Sequence, residues 1–141
     1  METEERTLTP AEQANRRTAA EIYSALAAGD VRAFTERLAP DVKWTVVPGA
    51  RYGGTYYGAR TILDQALAPL ATDWADLEIT PFELTPAGDK VFVVGEYRGV
   101  HRVSGKVGAA KFVHVWHLRD GKARRFETVS DTHTLWQATQ R

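Results

Sequence analysis

The stretch 110–131, AKFVHVWHLRDGKARRFETVSD, decides the fold of the second half of the chain. In an extended strand successive side chains point to opposite faces. Phe112, His114, Trp116 and Leu118 therefore share one face, and Lys111, Val113, Val115 and His117 the other. Asp120-Gly121 is hairpin-turn chemistry, and 123–130 reads as the returning strand with Phe126, Thr128 and Ser130 on the inward parity. One ionisable side chain, His114, falls on an otherwise apolar face. An imidazole in that position is readily tuned between neutral and charged near pH 7, which suits catalysis. The same position also suits a hydrogen-bonded core residue.

Upstream of the hairpin, Val91, Val93, Gly95 and Tyr97 alternate with Phe92, Val94, Glu96 and Arg98, the pattern of a strong strand after a turn at Ala87-Gly88-Asp89. Leu77, Ile79, Phe82 and Leu84 suggest another strand, and Pro81 inside it suits an edge or a bulge. Helical patterns come first in the chain. Thr9-Pro10-Ala11-Glu12 has the form of a capping box, and Ala19, Ile22, Tyr23 and Leu26 recur at helical spacing up to about Ala28. Gly29 stops that helix, Asp30 caps a short second helix over 31–38, and Pro40 closes it. Val42, Trp44 and Val46 then mark a strand over 41–47 that ends at Pro48-Gly49. The glycine-rich 51–58 reads as a loop or short hairpin. A third helix spans 59–70, with Ile62, Leu63, Ala66, Leu67 and Leu70 on one side. Asp131 is the N-cap of a closing helix over 132–139. Helices followed by a long meander make an α+β domain, and we expect a single domain over 1–141 with residues 1–8 disordered.

Composition narrows the function. The 141 residues carry eighteen basic and eighteen acidic side chains, so no basic field exists to hold nucleic acid. The opening METEERTLTPAEQANRR is unlike a signal peptide, and no apolar run is long enough for a membrane helix, so a cytoplasmic location is expected. Cysteine is absent, which removes thiolate nucleophiles and cysteine-ligated zinc. No phosphate-cradling glycine motif and no G-x-S-x-G occurs. Of the four histidines, His101, His114, His117 and His133, the two nearest in sequence fall on opposite faces of a strand, so no metal and no cofactor is expected.

The order of elements, together with A-A-G-D at 27–30, E-Y-R-G at 96–99 and F-V-H-V-W-x-x-x-D-G-K at 112–122, resembles the nuclear transport factor 2-like superfamily. Within it the SnoaL-like polyketide cyclase and ketosteroid isomerase branches are the most similar. The resemblance implies a cone-shaped, curved antiparallel sheet wrapped round three N-terminal helices, a deep apolar pocket, and a homodimer through the outer sheet face. Phe92, Val94, Val113 and Val115 would supply that face. It also implies that His114 stands where the isomerases keep an oxyanion-hole acid and the cyclases a histidine. Val46 and Ile22 stand where the isomerases carry a base and a tyrosine donor, and Thr128 where the cyclases carry an acid/base aspartate.

The resemblance implies a cofactor-free cyclisation or isomerisation of a small apolar or polyketide-like carbonyl compound. His114 would stabilise the oxyanion, Tyr23 or Tyr97 would be a second donor, and Thr128 or Asp131 would position the proton transfer. Trp44, Val46, Gln65, Val93, Gly95, Tyr97, Phe112, Trp116 and Phe126 would contact the substrate, with Gly95 leaving room for it. The alternative is a non-catalytic module of the same fold that holds a hydrophobic ligand, or an interaction module that uses the outer sheet face.

Overall fold

In the computed structural model, which describes residues 6–141, the first helix α1 (Pro10–Ala28) starts as its capping box dictates. The Thr9 hydroxyl accepts from the Glu12 N–H, and the Glu12 carboxylate accepts from the Thr9 N–H. Glu12 does more than cap. It accepts from the Gly88 N–H at 2.9 Å in the turn between two strands, and from both terminal nitrogens of Arg6 at 2.8 Å. The Arg6 hydrogen bond, followed by those of the two backbone N–H groups, holds the Glu12 carboxyl well below the usual carboxylate range. Of the lead expected to be disordered, residues 1–5 lie outside the described residues, whereas Arg6 is tied to Glu12 and to the Pro86 carbonyl. Gly29, with φ of 67°, ends α1, and Asp30 caps α2 (Val31–Glu36).

Strand β1 (Leu38–Val46) begins earlier than expected. Pro40 lies inside it rather than closing a helix, in the irregular stretch between Leu38 and Lys43 where its missing N–H interrupts no regular pairing. Strand β2 (Gly54–Tyr57) forms the short hairpin with β1. The third helical segment is longer and less regular than expected. α3 (Ala59–Thr61) runs through a π-helical stretch, Ile62–Leu67, into α4 (Ala68–Asp73). Pro69 has no N–H to offer the carbonyl four residues back, and the wider π turn, with the Ala68 N–H donating to the Leu63 carbonyl, accommodates it. Strands β3 (Trp74–Ala87), β4 (Lys90–His101), β5 (Val107–Arg119) and β6 (Lys122–Ser130) follow, and Asp131 caps α5 (Thr132–Thr139).

The six strands form one curved sheet in the order β2-β1-β6-β5-β4-β3. Neighbours are antiparallel except β1 and β6, which run parallel, so the sheet is mixed. Asp120 and Gly121 both have positive φ, as a two-residue turn twisted to match its strands requires. β3 is an edge strand with an irregularity between Pro81 and Glu83, which accommodates the proline. Two cross-strand rows carry the inner face. Val91, Trp116, Phe126 and Trp44 are successive register partners, as are Val93, His114, Thr128 and Val46. Phe112, His114, Trp116 and Leu118 are all buried, as their alternation demands, and Ala19, Ile22 and Tyr23 of α1 close the core above them. Phe92, Val94, Val113, Val115 and Val129 lie on the opposite face, with Val129 59% exposed. Among the described residues no helix is long and apolar enough to cross a membrane.

Candidate functional site

His114 is held at both ring nitrogens by tyrosine hydroxyls. Tyr23, from α1, reaches Nδ1 at 2.6 Å, and Tyr97, from β4, reaches Nε2 at 2.5 Å. The Trp116 indole N–H donates to the Tyr23 oxygen at 2.9 Å. These partners fix the proton positions. Tyr23 already accepts from Trp116, and its own proton has one buried acceptor available, Nδ1 of a neutral imidazole. Nε2 then carries the ring proton and donates to the Tyr97 oxygen, so the Tyr97 proton is left for Thr128, whose Oγ1 lies 3.3 Å away, or for a ligand. The chain Trp116–Tyr23–His114–Tyr97 is thus polarised in one direction, and each donor strengthens the next. Burial keeps this imidazole neutral by pushing its pKa well below the usual histidine value. Burial also pushes Tyr97 up to about 12 and raises Tyr23 further, so both remain phenols at neutral pH.

Aromatic packing fixes the ring plane. Phe112 stacks on His114 with centroids 3.8 Å apart and planes 11° apart, and Phe126 meets it edge-on. The ordered face opens into a cavity of about 630 Å³ between the sheet, α1, α4 and α5. Its walls are mainly apolar, from Leu26, Leu67, Leu70, Leu77, Ile79 and Leu135, a composition that favours a small organic ligand.

Eight of the thirteen residues expected at the site line this cavity: Tyr23, Trp44, Val46, Tyr97, His114, Trp116, Phe126 and Thr128. Five do not. Asp131 is exposed, and its carboxylate accepts from the backbone and side chain of Thr134, so it caps α5 and takes no part in the relay. Gln65 is exposed because the inward residues of its π-helical stretch are Ile62 and Ala66, and a one-residue step turns the side chain off that face. Val93 and Phe112 are core. Gly95 leaves room for Phe112 rather than for a ligand, since a Cβ there would stand 2.4 Å from the Phe112 ring.

The cavity also takes residues that the sequence pattern did not single out for it: Tyr52, Asp73, Trp74, His101 and the α5 pair Leu135 and Trp136. Helical spacing beyond Leu70 extends to Asp73, and the apolar residues of 132–139 were the available signal for α5. No local pattern marks Asp73 and Tyr52 as neighbours. Among the described residues no group of His, Asp or Glu has a metal-holding arrangement.

Comparison with known proteins places this geometry. The SnoaL-like domain family matches residues 19–126. A nuclear transport factor 2-like protein of Burkholderia thailandensis E264 is 32% identical, with a TM-score of 0.86 over 90% of this chain and 98% of its own. TerC, crystallised with polyporic acid, is 28% identical with a TM-score of 0.82, over 91% of this chain and 99% of its own. A Jannaschia sp. CCS1 protein assigned as a SnoaL-like polyketide cyclase shares the fold at 19% identity and a TM-score of 0.81, covering 96% and 97% of the two chains. A search of curated proteins gave no match.

Proposed function

Since the chain belongs to the SnoaL-like domain family and has the nuclear transport factor 2-like fold, we propose that its cavity carries out a cofactor-free cyclisation or isomerisation of a small apolar or polyketide-like carbonyl compound. The observation that carries this reading is the one-way hydrogen-bond chain that ends on the Tyr97 hydroxyl. In the simplest such reaction the substrate holds an enol and a carbonyl. The enol carbon forms the new C–C bond to the carbonyl carbon, the enol O–H loses its proton, and the carbonyl oxygen gains one. Tyr97 donates to that oxygen as its negative charge grows, with the neutral His114 N–H behind it. The apolar walls fold the substrate into a reactive conformer, which supplies the rest of the rate. TerC, crystallised with polyporic acid, supports a small organic ligand in a cavity of this build.

One observation favours a second reading, a module that holds its ligand without turning it over. Val46 and Thr128 occupy the places where the resemblance puts carboxylates in relatives, and among the described residues no carboxylate bonds to the Tyr23–His114–Tyr97 chain. Tyr97→Phe separates the two. With an aryl-substituted 1,3-dicarbonyl chain as test substrate, the substitution is expected to lower turnover by about 10²-fold or more, the scale of one lost oxyanion donor. Turnover within a few-fold of the parent would refute the role of Tyr97, and a parent that binds the compound without converting it would establish the second reading.

A further inference from the structure

The cavity has a second polar end, far from His114. Tyr97, the donor at the inner end, and His101, the register partner of Trp74, are four residues apart on β4, roughly 13 Å of strand at about 3.3 Å per residue. Next to Trp74 stands Asp73, a carboxylate in the cavity wall. Its backbone is fixed by the Arg102 N–H, which donates to the Asp73 carbonyl at 2.9 Å. Its carboxylate is oriented by Tyr52, whose O–H donates to Oδ2 at 2.5 Å. Among the described residues Oδ1 takes no hydrogen bond. The nearby His101 does not compete as an acceptor, because its Nδ1 already accepts from the Ser104 N–H and a neutral ring then carries its proton on Nε2.

We infer that Asp73, oriented by Tyr52, accepts a hydrogen bond from a neutral hydroxyl at the outer end of the ligand, so that the site takes an elongated apolar molecule with an oxygen function at each end. This rests on the reading above of the inner end as a carbonyl-oxygen site. A hydroxyl suits the outer end better than an ammonium. Arg51 Nε lies 3.9 Å from the same carboxylate, which therefore already has a cationic partner. Oδ1 is reached by solvent and keeps lone pairs that a ligand hydroxyl can take in place of water. Between the two ends, Leu67, Leu70, Leu77 and Ile79 supply an apolar wall that a flat or chain-like body can cover.

The test uses rigid rods with one or two hydroxyls: 4-phenylphenol against 4,4′-dihydroxybiphenyl, and the corresponding terphenyl pair, with dissociation constants measured by calorimetry. At the spacing that fits, the second hydroxyl is expected to tighten binding by roughly 10-fold or more, the scale of a hydrogen bond to a charged acceptor. Asp73→Asn, which keeps an oxygen for Tyr52, is expected to cut that gain to a few-fold, while Tyr97→Phe weakens single and double alcohols alike. Tyr52→Phe leaves the charge in place and lowers the gain in part. A second hydroxyl that adds nothing in the parent at either spacing, or a gain that survives Asp73→Asn at an unchanged melting temperature, overturns the inference and leaves the inner site standing. An aminomethyl rod that binds as tightly as the dialcohol overturns the preference for a neutral hydroxyl. Failure of every rod to bind the parent overturns the cavity reading itself.

Discussion

Gly95→Ala is expected to lower the stability of this protein by about 3 kcal/mol or more, at the upper end of overpacking in a filled core. The added methyl would stand 2.3 Å from the Thr80 carbonyl oxygen and 2.4 Å from the Phe112 Cζ. Neither neighbour can move freely. Thr80 is backbone in the adjacent strand, beside the irregularity at Pro81, and the Phe112 ring is clamped between the sheet and the His114 imidazole. Relief would push Phe112 off the imidazole, so ligand affinity should fall together with stability. Urea denaturation measures the first effect directly. A change of less than about 1 kcal/mol would show that the glycine is not the seat of the Phe112 ring.

Tyr23→Phe is expected to cost about 2–4 kcal/mol, although it removes a single oxygen atom. That oxygen has two buried partners, the Trp116 N–H and the Nδ1 of His114, and each left unsatisfied costs about 1–3 kcal/mol. Trp116 is fully buried, so no water replaces its acceptor. The Nδ1 position can be rewetted from the cavity, which keeps the sum below its upper limit. The variant also removes the donor that sets the tautomer of His114, so it should impair any turnover that Tyr97 supports. Stability equal to the parent would mean that Tyr23 is not the acceptor of the indole N–H.

Elements governed by local chemistry were legible in the sequence. The capping box at Thr9 and Glu12, the turn at Asp120-Gly121 and the alternation of 112–118 each depend on residues a few positions apart, and each formed as expected. Strand parity was sufficient to bring His114, Trp116, Phe126 and Thr128 to one wall. What depended on distant partners was not legible. Pro40 lies in a strand because β1 pairs in parallel with β6, about eighty residues later. The function of Gly95 is decided by Phe112 in the neighbouring strand, and the pairing of Asp73 with Tyr52 by the path of a loop. Asp131 was more legible as a helix cap than as a reactive carboxylate, although an aspartate at the end of a strand suits both roles. The structure assigns it to the cap.

The central claim is that His114 is a neutral imidazole, protonated on Nε2 and held between two phenols. Nitrogen-15 NMR of the histidine rings across pH 5 to 8 measures this directly. The account predicts that His114 keeps one protonated and one unprotonated ring nitrogen throughout the range, with the proton on Nε2, because burial holds its pKa well below the usual value. It further predicts that Tyr97→Phe shifts the Nε2 resonance and Tyr23→Phe the Nδ1 resonance. A ring that titrates near its ordinary value of about 6.5, or a proton found on Nδ1 in the parent, would contradict the polarised chain and with it the assignment of Tyr97 as the donor to the ligand.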